Sequence, residues 1–201
     1  MRNLITIAFT IALFALTTTA SADSDSKSPE FAVKKLLGEI KQIVKKDNLS
    51  DAEKAENKIH SDIALGVLKV PEISEKALGK YWSKHNTEQQ QQFQTLLGDL
   101  FVHVAFPSSA KFFANLEIVY GKPKRKKDMM VVPLTVVHEK EGEVGIDFRM
   151  KQTAAGWQVV DVILDGVSMR NNLRSQFYKI LKKNDFKELV LRMEKKLKET
   201  D

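Results

Sequence analysis

The fold is decided by residues 129–164, which read MMVVPLTVVHEKEGEVGIDFRMKQTAAGWQVVDVIL. The stretch is rich in Val, with Met, Ile and Leu beside it, and turn signals interrupt it at Gly142 and at Ala154-Ala155-Gly156. Both connections are short enough for neighbouring strands to run antiparallel. The pattern therefore predicts a meander of three strands, over residues 129–138, 143–152 and 156–164.

Two of these three strands are apolar on both faces. The middle strand alternates apolar residues with charged ones such as Asp147 and Arg149, which indicates one solvent-facing side. In the strands of residues 129–138 and 156–164, by contrast, valines and isoleucines occupy both sets of alternate positions. An antiparallel strand of this kind has to be covered twice, by helices or by the wall of an apolar cavity.

Helical patterns fill most of the remaining chain, apart from a fourth strand over residues 116–120. Ser28-Pro29-Glu30 marks the start of one helix, and capping boxes at Ser50-x-x-Glu53 and Thr87-x-x-Gln90 mark two others. We expect Pro71 and Pro107 to end the helices that these two boxes begin. Further helices are predicted over residues 74–82, 168–181 and 185–197. The fold class is α+β, with a four-stranded antiparallel sheet packed with several helices.

The first 22 residues, MRNLITIAFTIALFALTTTASA, have the pattern of a secretory signal peptide. Arg2 gives the positive start, residues 4–16 form the apolar segment, and Ala20-Ser21-Ala22 is a small-residue cleavage site. The apolar run is shorter than the ~20 residues that span a bilayer. We expect an exported protein, with a polar leader over residues 23–28 and one domain over residues 29–201.

Composition excludes several classes of function. The chain has 201 residues, a formal net charge of +6 and no cysteine. The absence of cysteine excludes disulfide scaffolds, thiolate metal sites and cysteine nucleophiles. The four histidines show no metal-ligand spacing, and Ser168 fits a helix N-cap better than a nucleophile. Asp161 and Asp165 remain as a possible carboxylate pair, but the protein is not expected to be an enzyme or to need a metal or cofactor.

A cationic segment lies between the first two predicted strands. It comprises Lys122, Lys124, Arg125, Lys126 and Lys127. One interpretation is a docking site for an acidic partner or for anionic lipid head groups, and the other is a solvated loop. Nucleic acid is not expected as a partner, because no aromatic residue is interleaved with the cations.

The stretch GWQVVDVILDGVSMRNNLRSQFYKIL, beginning at Gly156, resembles the signature of the MlaC family, also called toluene-tolerance auxiliary proteins. In that family a G-W-x-V-x-D strand leads through a G-V-S turn into an n-x-R-x-Q-F helix. The matching positions here are Gly156, Trp157, Val159, Asp161, Gly166, Val167, Ser168, Asn172, Arg174, Gln176 and Phe177. The chain departs from the family pattern at residues 103–107, HVAFP, where a Tyr-containing stretch is usual.

The resemblance implies a periplasmic phospholipid-binding shuttle, the auxiliary component of an ABC transport system that maintains outer-membrane lipid asymmetry. It implies a curved sheet that holds acyl chains against helices, with phospholipid as cargo and no cofactor. The implied partners are an inner-membrane transporter complex with MCE domains and an outer-membrane lipoprotein–porin complex, and the expected state is a monomer. Two alternatives stay open: an envelope adaptor that binds partners through residues 122–127, and a small-molecule enzyme on a cone-shaped α+β fold.

On this interpretation the lipid pocket lies between the sheet and the helix that begins at Thr87. Large apolar residues of that helix and of the three central strands supply its wall. The expected wall residues are Phe93, Leu97, Leu100, Val132, Leu134, Val136, Phe148, Met150, Val160, Val162 and Leu164.

Overall fold

The computed structural model describes residues 27–138 and 142–199. The predicted signal peptide of residues 1–22, and residues 23–26 of the predicted leader, lie outside the described residues. The helices are α1 (Pro29–Gln42), α2 (Asp51–Val67), α3 (Val70–Leu78), α4 (Thr87–Leu100), α5 (Phe106–Phe113), α6 (Met169–Leu181) and α7 (Phe186–Lys198), with a 3₁₀ helix over Gly79–Lys84 and a π-helical segment over Phe101–Ala105.

Short polar side chains cap these helices largely where the sequence predicts. The Ser28 hydroxyl accepts a hydrogen bond from the Phe31 N–H, and Ser50 and Glu53 form the expected reciprocal capping box. The box at α4 was predicted one residue too late, because Asn86 is the N-cap and Gln89 is its partner. Asparagine is at least as good an N-cap as threonine, so the helix begins one residue earlier than the Thr87 pattern indicates.

Both prolines that were expected to end a helix stand instead in the first turn of one. Helix α2 ends at Val67, and Pro71 belongs to the start of α3. The helix before Pro107 continues through the π-helical segment into α5. At Pro71 the missing N–H costs no helical hydrogen bond, because the first-turn donors of α3 have no partner within the helix. Pro107 stands inside a continuous helix and removes one donor from it.

The sheet has six strands rather than the predicted four. They are β1 (Ile118–Tyr120), β2 (Lys124–Lys126), β3 (Met129–His138), β4 (Gly142–Thr153), β5 (Gly156–Leu164) and β6 (Val167–Ser168). All neighbours pair antiparallel in the order β1-β3-β4-β5-β6, and β2 also pairs with β3. The two additional strands have three and two residues, too few to show a period of their own.

The register of the meander gives the sheet one apolar inner face. Val132 lies opposite Phe148, which in turn lies opposite Val162, and Leu134 is aligned with Ile146 in the same way. Helices α1 and α3 contact β5, and α1 also contacts β3. The inner face is therefore the boundary between the sheet and the helical layer.

Coverage of the outer face differs between the two strands that are apolar on both sides. On β5 the outward Ile163 is only 7% exposed, which confirms the prediction of double coverage there. On β3 that prediction is wrong, since Val137 is 54% exposed. On this side of β5 the start of α6 packs against the strand, where Asp161 binds the Ser168 hydroxyl and the Arg170 N–H, whereas on β3 Val137 stays exposed.

A buried carboxylate joins the sheet to α6. The Asp161 side chain is fully buried, and it accepts hydrogen bonds from the Ser168 hydroxyl at 2.8 Å and from the Arg170 N–H at 3.1 Å. The Arg149 guanidinium lies 3.4 Å away on β4. Because Ser168 also caps α6 by accepting from the Asn171 N–H, this network fixes where the strand ends and the helix begins.

A second contact ties α6 to the end of α3. The Arg174 guanidinium donates to the Lys76 carbonyl at 2.7 Å, and the Tyr178 hydroxyl accepts from the Lys80 N–H at 3.0 Å. Between these points the chain turns at Gly79, whose φ is +50°. A Cβ at Gly79 would lie 2.5 Å from the Tyr178 hydroxyl, so both the backbone angle and the available space require glycine.

Replacing Asp161 by Asn should lower the free energy of unfolding by about 2–3 kcal/mol, because the neutral amide leaves two arginines without their buried counter-charge. Urea denaturation measures the change. Asp147→Asn is the matched control, since Asp147 lies on β4 in the same sheet, and we expect a change within about 0.5 kcal/mol. Equal effects of the two substitutions would contradict the structural role of Asp161.

Replacing Gly79 by Ala should cost at least about 2 kcal/mol, from the strained φ and from the close approach to Tyr178. In a Tyr178→Phe background the hydroxyl is absent, so the additional cost of Gly79→Ala should fall to about 1 kcal/mol, the contribution of the backbone angle alone. A double-mutant cycle on thermal or urea unfolding isolates the coupling between the two positions. Additive effects would show that the Tyr178 hydroxyl does not set the space available at Gly79.

Candidate functional site

The inner sheet face and α4 bring most of the predicted wall residues together. Phe93 and Leu97 on α4 belong to the same buried core as the alternate residues of β3 and β4. Their exposed fractions do not exceed 4%. The members of this buried group are Phe93, Leu97, Val132, Leu134, Val136, Phe148 and Met150.

Four predicted wall residues take other positions. Leu100, Val162 and Leu164 are partly buried and pack against the rim of the same core. Val160 is fully buried but is not part of this core cluster. It lies at a β-bulge, where the register against β4 shifts between Arg149 and Met150. A bulge adds one residue to a strand and changes its alternation, which a strict period of two does not anticipate.

Other elements contribute to this interior in ways that the sequence analysis did not identify. The Phe177 ring of α6 meets the Phe93 ring edge-on, with centroids 5.3 Å apart. Helix α5 adds Phe106 and Phe113, and α1 adds Leu37. The sequence of α1 has the helical period of an apolar face, but a period does not indicate which other elements this face packs against. The interior is thus shared by α1, α4, α5, α6 and the sheet.

The wall residues pack against one another in this structure. Two clefts, of about 430 and 720 Å³, open at the surface. Neither is lined by a predicted wall residue. An elongated apolar ligand would therefore have to enter by separating the helices from the sheet.

The smaller cleft is crossed by a network of opposite charges. Glu72 accepts from the Lys151 ammonium at 2.7 Å and from the Lys69 ammonium at 2.9 Å. Burial raises the pKa of the Glu72 carboxyl, but the hydrogen bonds from Lys151 and Lys69 outweigh it and hold the pKa below its ordinary value. The carboxylate stays ionised at neutral pH and joins α3 to β4, so it is not poised as a general acid.

The candidate catalytic residues are engaged in structural contacts. The partners of Asp161 are Ser168, Arg170 and Arg149, and none of them is a histidine. His85 packs on the Phe186 ring at 4.4 Å, and burial lowers the pKa of its imidazole. Within residues 27–138 and 142–199, no three His, Cys, Asp or Glu side chains form a group suited to holding a metal ion.

The cationic segment was predicted to be a loop, but its middle is strand β2. Lys124, Arg125 and Lys126 pair with β3, and all three are exposed. Lys127 occupies the turn between the two strands with a φ of +58°. Charged residues have low intrinsic strand propensity, so only the pairing with β3 reveals this element.

The helix that lines the interior changes its hydrogen-bonding pattern at the point where the sequence departs from the MlaC pattern. Residues 101–105 form a π-helical turn in which the Phe106 N–H donates to the Phe101 carbonyl. Pro107 follows in the first turn of α5 and has no N–H to donate. Phe101 and Val102 in this turn are partly buried against the core.

Over the part of the chain that the structure describes, none of the helices combines the length and the apolar character needed to cross a bilayer.

Comparisons with known proteins agree with this architecture. No curated protein sequence matches the chain at a significant level. A solved structure of a phospholipid-binding protein from Ralstonia solanacearum, in complex with a phospholipid, superposes with a TM-score of 0.67. It shares 22% sequence identity and covers 90% of this chain and 99% of its own, which shows a common fold. The family model described as MlaC protein matches residues 34–195, so the chain belongs to the MlaC family.

Proposed function

We propose that this protein binds a phospholipid by its acyl chains, between α4 and the inner face of the sheet. The observation that carries the proposal is the apolar interior itself, a single buried core that includes Phe93 and Leu97 of α4 together with Phe148 and Met150 of the sheet. Membership of the MlaC family supports the proposal, as does the similar fold of a protein that holds a phospholipid. We further propose that the protein acts in the periplasm as a shuttle. In this role it carries lipid between the outer and inner membranes and so maintains outer-membrane lipid asymmetry.

Solvation energetics explain why such a carrier is needed. A diacyl lipid has about 30 methylenes, and each contributes ~0.8 kcal/mol when it is removed from water, or about 24 kcal/mol in total. Escape of the free lipid into water is correspondingly slow. A carrier has to offer an equally apolar environment and has no bond to break, which is consistent with the structural engagement of Asp161 and His85.

Cargo entry requires the packed interior to open, and the helix between α4 and α5 offers a place for it. The π-helical turn replaces the regular α-helical hydrogen bonds, and Pro107 removes one donor from the turn that follows. Both features lower the cost of bending at residues 101–107. Since α5 packs on α1, and α1 contacts β3, a small rotation of α5 would shift α1 relative to the sheet and help to separate the two layers.

The proposed partners follow from the same shuttle role. An inner-membrane MCE-domain transporter complex would exchange lipid with the protein at one membrane, and an outer-membrane lipoprotein–porin complex at the other. A monomer is proposed as the carrying species, because one chain supplies every wall residue of the interior.

Organic extraction of the purified protein, followed by mass spectrometry, should recover phospholipid. The delipidated protein should then take up labelled phospholipid from vesicles and gain thermal stability, because a ligand that binds only the folded state raises the melting temperature. Recovery of no lipid, together with no uptake from vesicles, would overturn the proposed function.

Leu100→Trp should reduce lipid uptake several-fold while the protein stays folded. Leu100 lies partly buried at the rim of the interior, so a larger ring there has room to turn but narrows the space for an acyl chain. Leu191→Trp is the matched control, since Leu191 is 48% exposed on α7. Circular dichroism checks the fold of both variants. Unchanged uptake by Leu100→Trp would place the acyl chains elsewhere.

A further inference from the structure

The cationic segment of residues 122–127 is an exposed part of the sheet edge. It carries five cations within six residues. Within the described part of the chain, none of these five lies within 4.0 Å of a carboxylate, whereas Arg149 and Lys151 on β4 are both paired. Like charges this close together repel one another, so binding of an anion to this segment would be favourable.

Two of these cations extend from the same face of the sheet as two exposed apolar residues. Lys124 lies opposite Val131 on β3 and therefore extends from the outer face of the sheet, as Lys126 does two residues later. Val119 lies opposite Thr135 and extends from the same face. Val119 is 55% exposed, and Val137, two residues beyond Thr135, is 54% exposed. We call these four side chains, of Lys124, Lys126, Val119 and Val137, the outer sheet edge.

The shape of this edge does not favour recognition by a protein strand. A free sheet edge normally invites pairing with another strand, and lysine and proline on the edge prevent it. Here Pro123 lacks an N–H, and the three residues of β2 are all charged. What remains on the outer face is the pair of flexible cations Lys124 and Lys126, with the exposed Val119 of β1 and Val137 of β3 further along the sheet, and neither of the two clefts lies among them. This combination suits a fluid, negatively charged lipid surface, which adapts to the cations and accepts small apolar side chains.

We infer that the outer sheet edge docks the protein on anionic bilayers. The inference goes beyond the proposed function, because docking through this edge does not require cargo in the interior. Lys124 and Lys126 contact lipid phosphates, the three remaining cations of the segment add long-range attraction, and the two valines enter the head-group region. Docking in this way holds the carrier at a membrane while lipid is exchanged.

Vesicle co-sedimentation tests the inference with the whole protein. Phosphatidylcholine vesicles that contain phosphatidylglycerol should bind it, pure phosphatidylcholine vesicles should bind it at least about tenfold more weakly, and binding should fall steeply as salt screens the charges. The triple variant Lys124→Gln, Arg125→Gln, Lys126→Gln should lose about tenfold or more in binding to the anionic vesicles.

A triple variant of Lys179, Lys182 and Lys183, each changed to Gln, is the matched control. It removes the same net charge from exposed positions on and just after α6, and its binding should fall less than threefold. Val119→Ser with Val137→Ser should weaken binding a few-fold, and this loss should persist at high salt. Lipid content by mass spectrometry should be the same in all of these variants, which separates docking from cargo binding.

Three outcomes would overturn the inference. One is equal binding to anionic and neutral vesicles, and another is equal loss in the two triple variants. The third is tight, charge-dependent binding of a soluble acidic polypeptide such as polyglutamate with no binding of anionic vesicles, which would assign the edge to an acidic protein partner instead.

Discussion

The structure depends on one requirement, that the apolar inner face of the β3-β4-β5 meander be kept from water. The residues on this face alternate with polar residues or solvent-facing valines, so the sheet alone cannot bury them. Helices α1, α2 and α3 contact the sheet at β5, α1 also contacts β3, and α6 is fixed to the sheet by the Asp161 network. In a chain without cysteine, this two-layer contact has to provide the stability that a disulfide could otherwise add.

The same contact has two functions under the proposed role. Phe93, Leu97 and Phe148 form the core when the interior is closed, and they would form the wall when an acyl chain is bound. A core of this kind is less stable than one that never opens, because each separation of the layers exposes apolar area unless lipid fills the space. Cargo would then act as a removable part of the core, and the empty protein would close on itself.

Features set by local chemistry could be predicted from the sequence. Strand β4 follows from its alternation, β3 and β5 follow from their apolar runs between turn signals, and the helix starts at Ser28 and Ser50 follow from short polar side chains next to helical patterns. Membership of the family rested on the rare residues around Trp157 and Asp161. The burial of Phe93, Leu97 and the alternate residues of β3 and β4 followed from period and size alone, since these residues occupy one face of each element.

Features that depend on a neighbouring strand, or on two local structures that suit the same residues equally well, could not be predicted. Strand β2 exists only because β3 lies beside it, and its own residues favour a loop. Val160 was misplaced because the bulge beside it depends on the partner strand. Proline is found both just after a helix and in the first turn of one, so the sequence around Pro107 does not distinguish the two positions. The structure places Pro107 in the first turn of α5, directly after the π-helical turn.

The π-helical turn also sets the rotational phase of everything that follows it. Such a turn holds one residue more than an α-helical turn, and each residue of a helix advances the side chains by about 100° around the axis. With that extra residue, Phe106, Ala110 and Phe113 of α5 point into the core. A regular helix would carry these side chains about a quarter-turn away, toward solvent. The turn of residues 101–105 therefore has the effect of a one-residue insertion in the helix. The apolar residues of α5 are spaced so that they face the core only when this extra residue is present.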